Sequence, residues 1–158
     1  MVDHPGEAGA PRTTAPTRSY VAAGITVEWR ADRCIHTARC LQALPSVFDT
    51  AARPWVNVDG ADPPSVAAAV RQCPTGALRY SGDGLPPDDG RTDASDEPVT
   101  IEAQPAGPLF VRGPTTVTDH EDSTITVEPR IALCRCGASE NKPFCDNSHR
   151  EVGWREGG

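Results

Sequence analysis

The sequence predicts an α+β protein made of two small units in place of one large core. Three observations carry that expectation. A strand, helix, strand pattern occupies residues 24–80, short β-type runs broken by Gly-Pro pairs follow from residue 99, and the six cysteines of the 158-residue chain fall into two triplets, one per unit. Only 37% of the residues are hydrophobic and 5% aromatic. Small domains with thin cores draw stability from another source, and metal ligation by cysteine is one.

The first 20 residues are Pro, Gly, Ala and Thr with scattered charge and are expected to be disordered. Residues 24–30 alternate in character and read as a strand with Ile25, Val27 and Trp29 on its buried face. A cysteine-bearing loop at 34–40 and a short segment to Leu44 come next, and Pro45 stops any helix from continuing. Asp62 can cap a helix whose first turn tolerates Pro63 and Pro64 and which runs through 66–71 towards Cys73. Pro74 ends that helix, Thr75-Gly76 turns the chain, and 77–80 returns as a strand beside 25–30. The cysteines of this unit, residues 21–80, therefore gather at one end.

Residues 81–97 hold six acidic side chains, Asp83, Asp88, Asp89, Asp93, Asp96 and Glu97, against Arg91 alone. This segment has little to bury and reads as an acidic linker or loose surface loop. It contributes −5 of the formal net charge of −7, whereas 25–80 is near neutral with five acidic and six basic side chains. In the second unit, 98–158, strand-like runs at 99–102, 109–112 and 124–127 are separated by Gly107-Pro108, Gly113-Pro114 and the polar stretch 119–123. They predict a small β-unit beneath the second cysteine loop.

Several function classes are set aside on composition. Lys142 is the single lysine and no basic stripe exists, so no nucleic acid partner is expected. No apolar run approaches the length of a membrane helix and the first residues lack a signal-peptide pattern, so no membrane association and a cytoplasmic location are expected. A reducing cytoplasm would keep the thiols free. No Gly-rich nucleotide loop, carboxylate pair near a histidine, or nucleophile with a base is present, so the chain is not expected to be an enzyme.

Cys134 and Cys136 are two residues apart, so in extended backbone their sulfurs point the same way. Gly137 and Pro143 can turn the intervening loop and bring Cys145 and His149 back towards them. Three thiolates and one imidazole suit tetrahedral zinc or a [2Fe–2S] cluster, and ligand chemistry alone does not choose. The run 134–149 resembles the CDGSH iron–sulfur family, with Ser139, Pro143, Cys145, Asp146, Ser148 and His149 matching in type and position. The resemblance implies a [2Fe–2S] cluster held by Cys134, Cys136, Cys145 and His149, in a small β-rich domain, and a possible homodimer. Ser139 and Asp146 are assigned to loop hydrogen bonding. Asn147 stands where the family has glycine, and asparagine is the non-glycine residue that best tolerates the same left-handed backbone. A histidine ligand has a remote nitrogen that can exchange a proton, which points to a pH-coupled potential and to easier cluster loss.

In the first triplet, Cys34, Cys40 and the Cys73-Pro74 pair resemble the bacterial ferredoxin pattern, in which local cysteines recur every third residue. Position 37 is threonine, which leaves three readings open. They are a [3Fe–4S] cluster on three thiolates, a [4Fe–4S] cluster with a weak fourth ligand from His36, Thr37, water or a partner, and cysteines that simply pack as small apolar groups. Residues 24–80 resemble the divergent single-cluster ferredoxin domain, and the ferredoxins that serve bacterial oxygenases, through Pro45, Val47, Phe48 and 73–78. That resemblance implies a ferredoxin-like domain with a [3Fe–4S] centre, [4Fe–4S] being the alternative. The function expected is electron transfer or redox relay with a redox partner protein. Cluster storage, sensing, or delivery to an apo-acceptor protein stands second, and a structural zinc module third.

Overall fold

The computed structural model of the chain describes residues 16–89 and 98–157. The expected disorder of residues 1–15, like the remainder of the acidic segment at 90–97, lies outside the described residues. The fold is α+β, with two three-stranded antiparallel sheets.

The first sheet has β1 (Arg18–Ala22), β2 (Ile25–Trp29) and β3 (Leu78–Ser81) in that order. The expectation of disorder as far as residue 20 fails at its end, where β1 starts at Arg18 and pairs with β2 from Arg18↔Trp29 to Ala22↔Ile25. Its side chains are mostly exposed, so no apolar alternation announces it. Backbone pairing at the sheet edge and the half-buried Tyr20 hold it in place. Strand β2 buries Ile25 and Val27, as the alternation predicts.

Between β2 and β3 lie α1 (Arg39–Ala43) and α2 (Pro63–Val70). Helix α2 starts where the sequence reads it: the Asp62 side chain accepts from Ser65 N at 3.1 Å, and proline occupies the first turn. It lays Val66 and Val70 against Val27, Phe48 and Val56. Each such side chain contributes about 1.5–3 kcal/mol by leaving water.

The second sheet has β4 (Thr100–Ala103), β5 (Leu109–Thr118) and β6 (Thr124–Leu133). Both long strands exceed the runs visible in the sequence. Gly113-Pro114 reads as a break, yet β5 continues through it as a bulge between Arg112 and Thr115. Gly113 has φ +117, and a β-carbon there would sit 3.2 Å from Val99 Cα, so glycine is required where β4 closes over the bulge. Helix α3 (Ser148–Glu151) ends the second motif.

The two units share a buried ionic seam. Arg130 of β6, whose side chain is fully buried, is bidentate to Asp88 at 2.7 and 3.1 Å. Arg79 of β3 bridges Asp88 at 2.9 Å and Glu128 at 3.0 Å, and Arg30 is bidentate to Glu128 at 2.6 and 2.8 Å. Asp88 belongs to the acidic stretch, so the described part of that stretch, 81–89, holds the units together. Removing one partner from such a network costs about 3–5 kcal/mol, because a buried charge is left uncompensated. Gly76 completes the seam: with φ +68 its α-carbon lies so close to β6 that a β-carbon would meet Arg130 O at 2.4 Å.

Candidate metal centres

The first site sits where the loop 34–40, α1 and the turn after α2 converge. Cys34, Cys40 and Cys73 all line one cavity of about 750 Å³, together with Trp29, Trp55 and Thr37. His36 and Ala38 hold the loop in a left-handed backbone, at φ 56 and 59. Non-glycine residues adopt that conformation at a cost of about 1–2 kcal/mol each, so the loop is held by its surroundings. His36 Nδ1 lies 3.9 Å from Cys34 Sγ, and Thr75 Oγ1 lies 3.5 Å from Cys73 Sγ.

Burial pushes the Cys34 thiol up, and burial together with the neighbouring Cys73 pushes Cys40 up to about 11. Ionising Cys34 and Cys40 is unfavourable until a cation sits beside their sulfurs. Two indole N–H groups, Trp29 Nε1 and Trp55 Nε1, are buried without a full hydrogen bond, and Trp29 lies near enough to Cys34 to favour its thiolate. The rings pack edge to face at 5.2 Å. Three thiols around one cavity, with the Trp29 N–H beside Cys34, fit a sulfur-bearing metal cluster, whose sulfurs would accept that hydrogen bond.

The second site is built by β6 and the loop that follows it. Cys134 N donates to Pro143 O at 2.8 Å and Cys145 N to Ala132 O at 2.8 Å, which brings the third cysteine back beside the first two. Ser139 Oγ donates to Phe144 O at 2.6 Å, and Asp146 accepts from Glu140 N and from Ser148 N and Oγ, so both residues brace the loop. Asn147 has φ 74, the left-handed conformation that its side chain tolerates. Cys134 Sγ lies 3.7 Å from Cys136 Sγ, and Cys145 Sγ lies 3.5 Å from His149 Nδ1. Tetrahedral first-row metal sites have S···S edges of about 3.8 Å and S···N edges of about 3.5 Å, so each pair spans one edge. Among the described residues no three Cys, His, Asp or Glu side chains converge on one point as a single ion requires. The donors come as two pairs.

Electrostatics favour thiolate at Cys134. Burial alone would raise the Cys134 thiol, but backbone N–H groups of Ser139 and Gly137 and the Cys136 side chain outweigh it and bring it below the ordinary value. Ala138 N also donates to Cys136 Sγ at 3.4 Å. Cys145, deeper, is raised by burial. Burial, then the Arg150 charge, lowers His149, keeping the imidazole neutral and able to ligate. His149 opens on a recess of about 340 Å³ that Arg39, Arg150 and Arg155 also line.

Family models match the chain in two places, in the order read from the sequence. The divergent 4Fe-4S mono-cluster model covers residues 20–83, and the iron-binding zinc finger CDGSH-type model covers 106–150. The chain carries an iron–sulfur domain of each type. The uncharacterized protein YjdI of Escherichia coli (strain K12), and its counterpart in Escherichia coli O157:H7, are each 30% identical to it over 63 residues, 40% of this chain and 83% of theirs. The six cysteines are free thiols, and all of them lie in the two iron–sulfur regions. Sequence reasoning missed the indole donors Trp29 and Trp55, and also Arg33 and Arg39, whose guanidinium groups lie 3.4 and 5.5 Å over the rings of Phe144 and Phe110. The alternation placed Trp29 on a buried face, but no local signal says where an indole N–H points.

Proposed function

We propose that this protein is a non-enzymatic electron carrier with two different iron–sulfur clusters. The observation that carries the reading is the pairing of donors at the second site. A [2Fe–2S] cluster takes two protein ligands per iron, and Cys134 with Cys136 and Cys145 with His149 supply two tetrahedral edges. At the first site, Cys34, Cys40 and Cys73 suit a [3Fe–4S] cluster, which needs three thiolates. A [4Fe–4S] cluster is the second reading there, favoured by the description of the matching family and by His36 beside Cys34.

The clusters supply one-electron chemistry when bound, and the chain's own residues position and tune them. Trp29 offers its N–H to Cys34 at the first site, and the amides of Gly137 and Ser139 favour thiolate at Cys134 in the second. The partner we propose is a redox protein with an acidic face, because Arg39, Arg150 and Arg155 give the recess over His149 a positive rim on a chain of net charge −7. Cluster delivery to an apo-acceptor protein is a second function, supported by the opening of the same recess at His149. A homodimer and a reducing cytoplasm complete the reading. Among the described residues no helix is long and apolar enough to cross a membrane.

Anaerobic EPR of the oxidised and reduced protein, with iron and acid-labile sulfide counts, tests the proposal. A three-iron signal in the oxidised state, a second centre visible on reduction, and about five irons per chain are expected, the sum of the two clusters. A colourless protein with bound zinc would sink it.

A further inference from the structure

The loop of the first site lies directly on the second site. Ile35, the neighbour of Cys34, is only 4% exposed and packs in one apolar cluster with Cys145 and Ala132. Asn147 Nδ2 donates to the Ile35 carbonyl at 2.8 Å, and Asn141 Nδ2 donates to the Asp32 carbonyl at 2.9 Å. Thr37, where the ferredoxin pattern would have the middle one of its local cysteines, lines both the cavity of the first site and the recess of the second. A single peptide bond therefore separates the first ligand of one site from a side chain packed on a ligand of the other.

Asn147 is also the position at which the second motif departs from its family's glycine. Its φ of 74 is one that glycine adopts equally well, so the turn itself does not call for asparagine. What asparagine adds is a side chain long enough to reach the Ile35 carbonyl.

We infer that the two sites exchange electrons directly through the Cys34–Ile35 segment, and that Asn147 is the positioning residue that holds this segment on the second site. The inference rests on the two-cluster reading above. The exchange is a one-electron step: the reduced site loses an electron and the oxidised site gains it. No covalent bond forms or breaks and no proton is consumed. The first electron comes from an external one-electron reductant. A packed, hydrogen-bonded, water-excluding contact favours this step, since electron tunnelling decays faster across a gap than through bonded and touching atoms.

The test uses the full chain with both clusters loaded, comparing wild type with N147G and N147D. N147G keeps the backbone conformation and removes the clip. N147D keeps the side-chain volume but sets a carboxylate against the Ile35 carbonyl, and it serves if N147G does not load both clusters. The fully reduced wild type is expected to give an EPR spectrum broadened or split by magnetic interaction between the centres. After a pulse of reductant, its inter-centre phase should be independent of protein concentration. In the variants the population with the loop lifted should rise about fivefold, the change that one hydrogen bond carries, seen as a slow inter-centre phase and as faster amide exchange at 35–38 in the metal-free chain. Iron and sulfide sufficient for one cluster overturn both the two-cluster reading and this inference. Two full clusters whose reduced spectrum is the sum of isolated centres overturn the exchange alone. An inter-centre phase unchanged in both loaded variants overturns the role of Asn147.

Discussion

At the scale of single residues, the sites are set by donors as much as by ligands. The Trp29 indole illustrates this. Its apolar body belongs to the edge of the first core, and its N–H lies beside Cys34. An N–H donor stabilises the more negative, reduced state of a cluster. Trp29→Phe is therefore expected to lower the reduction potential of the first centre by on the order of 50 mV, about one hydrogen bond for a one-electron couple, while the second centre is unmoved. Protein-film voltammetry reads both centres at once, and equal shifts in the two would count against a local donor.

The candidate ligands were legible at this scale because cysteine and histidine spacing is written along the chain. Asn147 was legible in part: its tolerance of the left-handed turn follows from its chemistry, but its bond to Ile35, 112 residues away, does not. Trp29 and Trp55 were not legible as donors, since the alternation that buries a ring says nothing about which atom the fold leaves unpaired.

At the scale of elements, the turns do more than connect. The turn 73–76 delivers Cys73 to the first site and sets Gly76 against β6. Gly76→Ala would add a β-carbon 2.4 Å from Arg130 O at a residue with φ +68, so both contact and backbone oppose it. The expected cost is at least about 2 kcal/mol, read as a lower midpoint in urea unfolding followed by tryptophan fluorescence. A midpoint equal to wild type would show that β6 gives way without loss.

Helix α2 and strands β2 and β3 were readable because each has a local signature: a cap with proline behind it, or alternation. β1 and the extensions of β5 and β6 were not. A strand whose side chains face water is held by hydrogen bonds to its neighbour, and that neighbour is a tertiary fact. Gly113-Pro114 has the composition of a turn, and its use as a bulge depends on Val99 closing over it.

At the scale of the whole molecule, the ionic seam decides how the units meet, and it makes stability depend on acid. Burial alone would raise the Glu128 carboxyl, but hydrogen bonds from Arg30 and Thr126 and the charges of Arg30 and Arg79 outweigh it and hold it below its ordinary value of 4.5. A depressed carboxyl favours the folded state when ionised. Its contribution is complete above that ordinary value and is lost as the pH falls below it, through the lower folded-state value. Thermal midpoints of wild type should therefore fall more steeply between neutral pH and the acid side of this window than those of Glu128→Gln, which starts lower and changes less. Parallel curves would assign the acid sensitivity elsewhere.

The sequence by itself determined which residue types could ligate and in what spacing, and that an α+β chain carries one cysteine triplet in each of two iron–sulfur regions. Such information is local, because ligand identity and loop length are properties of short stretches of chain. Only the tertiary structure decided that the sites touch, that the loop of Cys34 lies on Cys145, and that Asp88 of an acidic stretch is a buried partner of two arginines. Those facts rest on pairings between residues far apart in the chain, where geometry selects one partner among many of the same charge or polarity and no local pattern names it.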